Sequence, residues 1–366
     1  MTNLKVSIIT ATYNSERHIE NALRSVDAQT YPHIEYIIVD GASTDRTLEI
    51  VGKYGRCVSR VISEPDSGIY DAFNKGLRAA TGDVIYFLNS DDELCEPDTV
   101  ANMMRHFDEP EQWLAVYGNI IRVDPVLRTE TMYGREIGVP EMIQGYMTPH
   151  PALFAKRELY ERFQGFDLRF RSAADFDFVA KCIADERIRR KFKYVNRPVA
   201  RFTVGGFSTG YLTRLTGLRE TEQIIFERFG QTVDLAGTEI ENNALFRQWL
   251  ESLIIHKRGI TRTLIEKGIR KAAIFGTMAT ALYLLEDAAA EGLEIAAFID
   301  NSPHMRGKKV GGRDVHPSSW LQESDVECVV FSIENARDRE IMRELKSGLA
   351  RDVLICSWKD LAKGRV

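Results

Sequence analysis

The sequence predicts an α/β protein with a largely parallel sheet in its first half and a second, smaller α/β domain at its end. Apolar runs typical of strands alternate with helical periods over residues 5–88, which is the pattern of successive β–α–β units. A charge-rich helical stretch follows at 211–270, and a new strand–helix–strand pattern then begins. At 366 residues the chain exceeds one ordinary core. We therefore expect a first domain at 1–210, a helical linker at 211–270 and a small second domain at 271–366.

Each predicted element of the first part is a short run with one clear period. The strand-like runs are Lys5–Ala11, Ile34–Asp40, Val58–Ser63, Asp83–Leu88 and Leu114–Val123. The helical periods are Glu16–Gln29, Thr44–Tyr54, Gly68–Ala80, Lys156–Phe163 and Asp175–Ala184. The unbroken apolar stretch Val84–Leu88 is typical of a strand that is buried on both faces.

Composition excludes several classes of protein. The chain is 44% hydrophobic and 28% charged, as in ordinary globular proteins, and its net charge of −5 argues against nucleic acid as the main partner. Its five cysteines are scattered, which suits buried thiols in a reducing compartment. Because the sequence begins directly with a strand and has no apolar run of membrane-spanning length, we expect a cytoplasmic protein, or one attached to the inner face of a membrane.

The stretch 211–270 contains an apolar stripe that is followed by basic residues. The stripe is Leu245, Trp249, Leu250, Leu253 and Ile254, and the basic residues are Lys257, Arg258, Arg262, Lys267, Arg270 and Lys271. Such a segment could lie on anionic lipid, as a peripheral membrane contact. Its shortness favours the alternative of a helical linker that packs on a neighbouring domain.

The last domain has the strand–helix–strand pattern of a Rossmann-like fold. Its turn, Gly276–Ala281, lies where a dinucleotide-binding loop would, and Asp300 closes the second strand at a fitting distance. Met278 replaces the middle glycine of that loop, and its side chain would obstruct a pyrophosphate. We therefore expect no cofactor there, but a regulatory or assembly role, which leaves a homo-oligomer through this domain open.

Polar residues cluster directly after each of the first four predicted strands. The clusters are Thr12–Asn14, Asp40–Asp45, Glu64–Asp71 and Asn89–Asp92. Each alone has the composition of a turn. The carboxyl ends of parallel strands, however, meet at one edge of a sheet, where open α/β sheets bind their ligands. Four clusters together therefore predict a binding crevice at this edge.

Asp91 and Asp92 stand side by side in the last of these clusters. Adjacent carboxylates repel each other unless a proton or a cation intervenes, and a hard divalent ion could in turn hold a diphosphate. The alternative is a turn at Ser90–Glu93 that caps a helix starting near Pro97. The other clusters favour a metal site with Asp91 as ligand, and with Asp92 as a second ligand or as the cap.

Five motifs occur in order within residues 1–210. They are SIITATYN at Ser7–Asn14, VDGASTD at Val39–Asp45, SEPDSGIYDAFNKG at Ser63–Gly76, ATGDVIYFLNSDD at Ala80–Asp92 and GFDLRFRSAADFD at Gly165–Asp177. In these motifs the sequence resembles the family 2 glycosyltransferases of the GT-A fold, which are inverting and use nucleotide sugars. The resemblance implies a mixed sheet with flanking helices. It does not cover the Rossmann-like domain.

The resemblance also implies a donor site and a metal. Thr12, Tyr13 and Asp40 match residues that hold the nucleoside base, and Asp40 would accept a base N–H. Asn89-Ser90-Asp91 occupies the D-x-D position, where Asp91 would ligate Mg²⁺ or Mn²⁺ and Asn89 replaces the usual first aspartate. The donor-binding residues predicted in this way are Thr12, Tyr13, Asn14, Asp40, Asp66, Asn74, Lys75, Asn89, Ser90 and His150, and the metal ligands are Asp91 and Asp92.

Asp175 matches the acid that serves as catalytic base in the family. Its task would be to deprotonate an acceptor hydroxyl as the oxygen attacks the anomeric carbon. Metal-bound diphosphate then needs no proton to leave. Asp177, two residues further along a helix, points elsewhere.

Three further features remain open between two interpretations. Lys75 either replaces the arginine that many relatives carry before Asn74 or is a solvated helix lysine. His150 resembles a histidine that a subgroup carries near the diphosphate or the acceptor, but a lone histidine is often structural. The loop Gly205–Ser208 resembles the segment that closes that subgroup's site, although glycines suit any turn.

We therefore predict a metal-dependent, hexosyltransferase-type enzyme of polysaccharide biosynthesis. It would move a sugar from a nucleotide sugar, preferably a UDP-sugar, to a hydroxyl of a surface glycan or lipid-linked acceptor. One alternative is a non-catalytic nucleotide-sugar sensor or assembly subunit. Another is a nucleotidyltransferase, but the segment Ala11–Arg17 lacks the glycine-rich loop that a triphosphate needs.

Overall fold

The computed structural model describes residues 3–125, 129–205, 211–334 and 338–366, apart from the side chain of Tyr211. The chain divides into two compact units, Met1–Val233 and Asp234–Val366. Of the stretch that the sequence marks as a linker, the first long helix belongs to the first unit and the second long helix to the second unit.

The described residues of the first unit form a nine-stranded mixed sheet. Its strands are β1 (Val6–Thr12), β2 (Ile34–Asp40), β3 (Val58–Ser63), β4 (Val84–Phe87), β5 (Glu93–Leu94), β6 (Ala115–Asp124), β7 (Thr129–Tyr133), β8 (Leu153–Lys156) and β9 (Phe192–Thr203). They lie in the order β3-β2-β1-β4-β8-β6-β9-β5, and β7 pairs with β6. The first four are parallel, as the alternating pattern predicts, while β8 runs antiparallel to both β4 and β6. The expected mixed sheet is confirmed.

Helices flank this sheet. They are α1 (Ile19–Asp27), α2 (Thr47–Tyr54), α3 (Ile69–Ala79), α4 (Thr99–Met104), α5 (Val139–Ile143), α6 (Arg157–Phe163), α7 (Ala174–Ala184), α8 (Glu186–Arg189) and α9 (Tyr211–Phe229). Helix α1 buries Ile19, Ala22, Leu23 and Val26, the four positions that share one face at helical spacing. All seven residues of β1 are buried, so the strand that leads to the predicted crevice is rigidly held.

Helix α3 packs unusually close to the sheet at Gly76. A Cβ atom at this position would lie 2.4 Å from Cγ2 of Ile9 on β1, so only glycine fits without a shift of the backbone. The close contact fixes the height of α3 over the sheet. It thereby sets where the first turn of α3, with Tyr70, stands at the carboxyl edge.

The second unit is a Rossmann-like domain, as predicted. Its helices are α10 (Leu235–Ile255), α11 (Arg262–Glu266), α12 (Ala279–Glu291), α13 (Asp338–Gly348) and α14 (Trp358–Ala362). Its strands are β10 (Lys271–Phe275), β11 (Glu294–Ile299), β12 (Lys309–Val310), β13 (Arg313–His316), β14 (Cys328–Phe331) and β15 (Leu354–Ser357), in the order β12-β13-β11-β10-β14-β15. All the pairs are parallel except β12 with β13.

The apolar stripe of α10 divides into two parts. Leu245 and Trp249 are buried in the core of the second unit. Leu250 and Ile254 are 56% and 64% exposed. Because these pairs point to different sides of the helix, the stripe that the sequence presents as one face does not pack as one face.

Glu35 joins the amino ends of β1, β2 and β4. It accepts hydrogen bonds from Oγ of Ser7 at 2.5 Å, from N of Thr81 at 2.8 Å and from Nζ of Lys5 at 2.9 Å, and its side chain is 12% exposed. Burial by itself raises the pKa of Glu35, but the hydrogen bonds from Ser7 and Thr81 outweigh burial and lower the pKa to about 2. The ionised carboxylate therefore stabilises the sheet.

We expect Glu35→Gln to lower the free energy of unfolding of the first unit by about 2 kcal/mol at pH 7, because a partly buried network of charged hydrogen bonds is broken. The carboxylate's folded-state pKa lies below its unfolded value, so its contribution is complete above about pH 5 and is lost as the pH falls toward 2. Urea denaturation at several pH values measures both effects. Glu49→Gln, which alters an exposed pair with Arg46, is the control and should leave stability unchanged. Equal stability of the Glu35 variant and the wild type at pH 7 would contradict this role.

Candidate functional site

The loops that follow β1, β2 and β4 are tied together by side chains at the carboxyl edge. Asn14, with a left-handed φ of 49°, donates its N–H to Oγ of Ser43 at 2.8 Å and accepts from N of Thr44 at 2.9 Å. The hydroxyl groups of Ser15 and Ser90 are 2.9 Å apart. The structure therefore brings three of the four polar clusters together. Asn14 uses its polar atoms to hold the β2 loop.

Asp40, the last residue of β2, is completely buried. It accepts hydrogen bonds from N of Ser43 at 3.0 Å and from the hydroxyl groups of Ser43 and Ser63 at 2.5 and 2.7 Å. A carboxylate can accept about four hydrogen bonds, so about one position is left for a base N–H. Ser63 ends β3 directly before the cluster Glu64–Asp71, so its hydrogen bond to Asp40 places the start of that remaining cluster at the same edge.

An exposed tyrosine, Tyr13, lies beside Gly41, the residue that follows Asp40. The Tyr13 side chain is 63% exposed. A Cβ atom at Gly41 would lie 2.5 Å from Oδ2 of Asp66 and 3.4 Å from Cδ2 of Tyr13. The absence of a side chain at Gly41 therefore lets Asp66 and Tyr13 approach the backbone of this loop. Oγ1 of Thr12 is buried nearby along the chain and has no partner among the described residues. An exposed ring beside unused polar capacity suits the stacking of a planar base.

The Asn89–Asp92 turn carries oxygen atoms that lack partners. The amide of Asn89 donates to Oδ2 of Asp92 at 2.9 Å, while Oδ1 of Asn89 and Oδ1 of Asp92 are buried without a partner among the described residues. Burial raises the pKa of Asp91, and burial together with the charge of Asp91 raises the pKa of Asp92 well above its usual range. Orphaned oxygens and uncompensated carboxylates fit a hard divalent cation.

This turn does not form a ready-made metal cage. In the parts of the chain that the structure describes, no three histidine, cysteine or acidic side chains converge as a ligand set. A cation held here would need oxygens from elsewhere, which is the usual situation of Mg²⁺ ions that bind one or two carboxylates and substrate phosphates. The residues present therefore fit such an ion.

The interpretation of Asp92 as a helix cap is wrong. Helix α4 begins only at Thr99, with Asp98 at the N-cap position, and the short strand β5 lies between Asp92 and this helix. Asp92 is completely buried and points to Asn89. Asp92 is therefore not the cap of this helix.

Asp175 lies in the first turn of α7, with its side chain 22% exposed. Its Oδ1 accepts from the hydroxyl of Tyr70 at 2.7 Å and from N of Phe176 at 2.9 Å. Its Oδ2 lies 3.8 Å from Nδ1 of His150, which is too far for a hydrogen bond. The geometry leaves one oxygen of this carboxylate open to accept a proton.

His150 lies between Asp175 and Phe87, the last residue of β4. Its ring stacks on Phe73 with centroids 5.3 Å apart and lies 5.3 Å from the ring of Phe87, the last residue of β4. Burial lowers the pKa of His150, although the neighbouring Asp175 raises it, so the ring is neutral at pH 7. Nε2 is buried without a partner in the described part of the chain.

Asn74 and Lys75 both have their polar groups engaged. The Asn74 amide donates to O of Phe166 and accepts from N of Phe166, each at 2.9 Å, and thereby holds the turn that precedes α7. Nζ of Lys75 donates to O of Pro65 and lies 3.1 Å from Glu64, and the side chain is 12% exposed. Lys75 is therefore not a solvated helix lysine, and it fastens the β3 loop.

Two other predictions concern residues near the site. Asp177 points away from Asp175, as expected: it is completely buried and pairs with Arg228 and Lys181, each at 2.7 Å. Of the proposed closing loop, Gly206, Phe207 and Ser208 lie outside the described residues.

Sequence reasoning missed the residues that orient the site. Tyr70 donates to Asp175, Ser43 and Ser63 donate to Asp40, and Ser15 contacts Ser90. Each lies inside or beside a polar cluster, so its position was visible. The hydrogen-bond partner of each could not be read from the sequence, because a residue pattern does not show which side chains meet, whether they are 3 residues apart or 105.

Comparisons with known proteins agree with this fold. The model of the family described as Glycosyl transferase family 2 matches residues 7–175. A PGL/p-HBAD biosynthesis glycosyltransferase of Mycobacterium bovis (strain BCG / Pasteur 1173P2) is 31% identical over 192 residues, 52% of this chain and 73% of that protein. A putative teichuronic acid biosynthesis glycosyltransferase, TuaG of Bacillus subtilis (strain 168), is 45% identical over 98 residues, 25% of this chain and 39% of that protein.

A solved structure has a similar fold. The crystal structure of S. aureus TarS 1-349 in complex with UDP aligns with a TM-score of 0.50 and 21% identity, over 71% of this chain and 75% of that chain. Within the described residues of the present chain, no helix has the length and apolar character needed to cross a membrane.

Proposed function

This chain belongs to glycosyltransferase family 2, and we propose that it moves a hexose, with inversion, from a UDP-sugar to a hydroxyl of a surface glycan or lipid-linked acceptor. The observation that carries the proposal is the set of contacts that links four strand ends to Asp175: Asn14 with Ser43, Asp40 with Ser63, Ser15 with Ser90, and Phe87 with His150. A donor at this edge would thus have a proton acceptor beside it.

The donor-binding part of the proposal concerns the base and the diphosphate. The exposed ring of Tyr13 would stack on the base, and Thr12 and the remaining acceptor position of Asp40 would bind its edge. UDP is also the nucleotide in the S. aureus TarS complex. Asp91, with Asp92 as helper, would hold Mg²⁺ or Mn²⁺, which when bound supplies positive charge against the leaving diphosphate.

The reaction is one displacement. Asp175 accepts the proton of the acceptor hydroxyl, and the oxygen forms a bond to the anomeric carbon. The bond from that carbon to the diphosphate oxygen breaks, and its electron pair stays on the diphosphate. A single attack from the opposite face inverts the anomeric configuration. The neutral His150 ring beside Asp175 adds no competing charge.

The acceptor class and the surroundings of the enzyme remain predictions. TuaG is named for teichuronic acid biosynthesis, which supports a glycan acceptor. The exposed side chains of Leu250 and Ile254, which precede Lys257 and Arg258, support the alternative of a peripheral membrane contact. Self-association through the Rossmann-like domain likewise stays a prediction.

Release of nucleoside diphosphate tests the proposal. The full-length protein is incubated with Mn²⁺, a panel of UDP-sugars and oligosaccharide or lipid-linked acceptors. We expect one donor to release UDP at a rate that rises at least about tenfold when its acceptor is added, as is typical when transfer outpaces hydrolysis by water. Binding of a nucleotide sugar without UDP release for any acceptor would instead support a non-catalytic sensor or assembly subunit.

A further inference from the structure

The two oxygens of Asp175 have different surroundings. Oδ1 receives two hydrogen bonds, from the hydroxyl of Tyr70 at 2.7 Å and from N of Phe176 at 2.9 Å. The described neighbour of Oδ2 is Nδ1 of His150 at 3.8 Å, beyond hydrogen-bond distance. A free aspartate in water would present its oxygens equally, so this difference is imposed by the fold.

Tyr70 is itself held in one place. It is 8% exposed, and its ring lies 5.5 Å from that of Phe166 and 6.2 Å from that of Phe73. The Asn74 amide clamps the backbone of Phe166 from both sides, and Gly76 sets the height of α3. These contacts fix the position of the Tyr70 hydroxyl relative to Asp175.

The Tyr70 hydroxyl is a permanent donor. Burial and the charge of Asp175 raise the pKa of Tyr70 well above 10, so the phenol stays protonated at neutral pH. The phenol can donate one hydrogen bond, and Oδ1 of Asp175 accepts it at 2.7 Å.

We propose that Tyr70 is a positioning residue that occupies Oδ1 of Asp175 and leaves Oδ2, on the side of His150, as the oxygen that takes the acceptor proton. The inference rests on the proposed function of Asp175 as the base. In the transfer step the acceptor O–H bond breaks and its proton binds Oδ2. Tyr70 neither gains nor loses a proton. Its hydrogen bond holds the carboxylate in the orientation that directs Oδ2 at the attacking hydroxyl.

Tyr70→Phe removes the hydroxyl and keeps the ring that packs on Phe166, so the variant should fold. We expect its kcat to fall about 10- to 100-fold, the equivalent of one hydrogen bond to a charged group, while the Kd for UDP stays within about twofold. Tyr160→Phe is the matched control: Tyr160 is also buried in this aromatic cluster, 5.9 Å from Phe166, and no hydrogen bond joins it to Asp175 in the described part of the chain. Its kcat should not change.

A double-mutant cycle separates positioning from a purely structural effect. If Tyr70 acts through Asp175, then Tyr70→Phe should have no effect on the residual rate of Asp175→Ala. An equal loss in both backgrounds, or wild-type kcat for Tyr70→Phe, would overturn the positioning role. Failure of the proposed function looks different, because the wild type itself would then release no UDP with any acceptor. Full transfer by Asp175→Ala would refute only the assignment of Asp175 as the base.

Discussion

Asp175→Asn is expected to lower kcat for sugar transfer by about 10²- to 10⁴-fold, the usual contribution of a general base. The substitution keeps the size and shape of the side chain, and the amide oxygen can still accept from Tyr70 at the Oδ1 position. It removes the oxygen that takes the proton. Since Asp175 is assigned to the acceptor side, the Kd for UDP in the presence of Mn²⁺ should remain within about twofold of the wild-type value, because only the transition state has lost an interaction. Steady-state kinetics and calorimetry measure the two quantities.

Asp167→Asn is the matched control for this experiment. Asp167 lies in the same motif, and its carboxylate accepts from N and Nε of Arg169 at 3.0 and 2.9 Å. We expect this variant to retain transfer. Full turnover by Asp175→Asn would refute the assignment of the base, whereas loss of UDP binding in that variant would mean that Asp175 belongs to the donor site.

Asp91→Asn is expected to lower the affinity for UDP measured with Mn²⁺ by at least about 100-fold, because a lost metal ligand should cost no less than the 10- to 100-fold of a lost supporting contact. The residual affinity should be the same with Mn²⁺ and with a chelator. Asp91 is the carboxylate of the turn that is not sealed in the core, and Asp92 is completely buried. Calorimetric titration with UDP, with and without Mn²⁺, measures the effect.

Mn²⁺ alone gives a second measurement. A cation that binds the folded state raises the melting temperature, and we expect this rise in the wild type and not in Asp91→Asn. Asp98→Asn is the control, since Asp98 lies at the N-cap position of α4 beyond β5. Unchanged Mn²⁺-dependent affinity in the Asp91 variant would remove Asp91 from the metal site.

Local patterns predicted most of the first sheet. Strands β2 and β3 begin and end where the apolar runs do, because turn residues bound each run. The four buried positions of α1 follow from helical spacing alone. The ends of other elements moved by a few residues: the helix predicted for Glu16–Gln29 spans Ile19–Asp27.

Other features depended on contacts that no local pattern contains. The sequence left Asp92 between a metal ligand and a helix cap, and the burial of its side chain decided against the cap. The sequence left Lys75 between a replacement for an arginine and a solvated helix lysine, and its contacts with Pro65 and Glu64 decided against the solvated lysine. The sequence presents the stripe of α10 as one face, but Leu245, Trp249 and the partly buried Leu253 pack in the core of the second unit, while Leu250 and Ile254 are exposed.

The sequence by itself determined the alternation of strands and helices, the four polar clusters at strand ends and the two carboxylates, Asp91 and Asp175, on which the proposed chemistry depends. These follow from period and residue type, which act over a few neighbouring residues. Only the tertiary structure decided which oxygen of Asp175 has no hydrogen bond among the described residues and which hydroxyl groups donate to Asp40. Those outcomes depend on partners such as Tyr70 and Ser63, 105 and 23 residues away, which packing alone brings within hydrogen-bond distance.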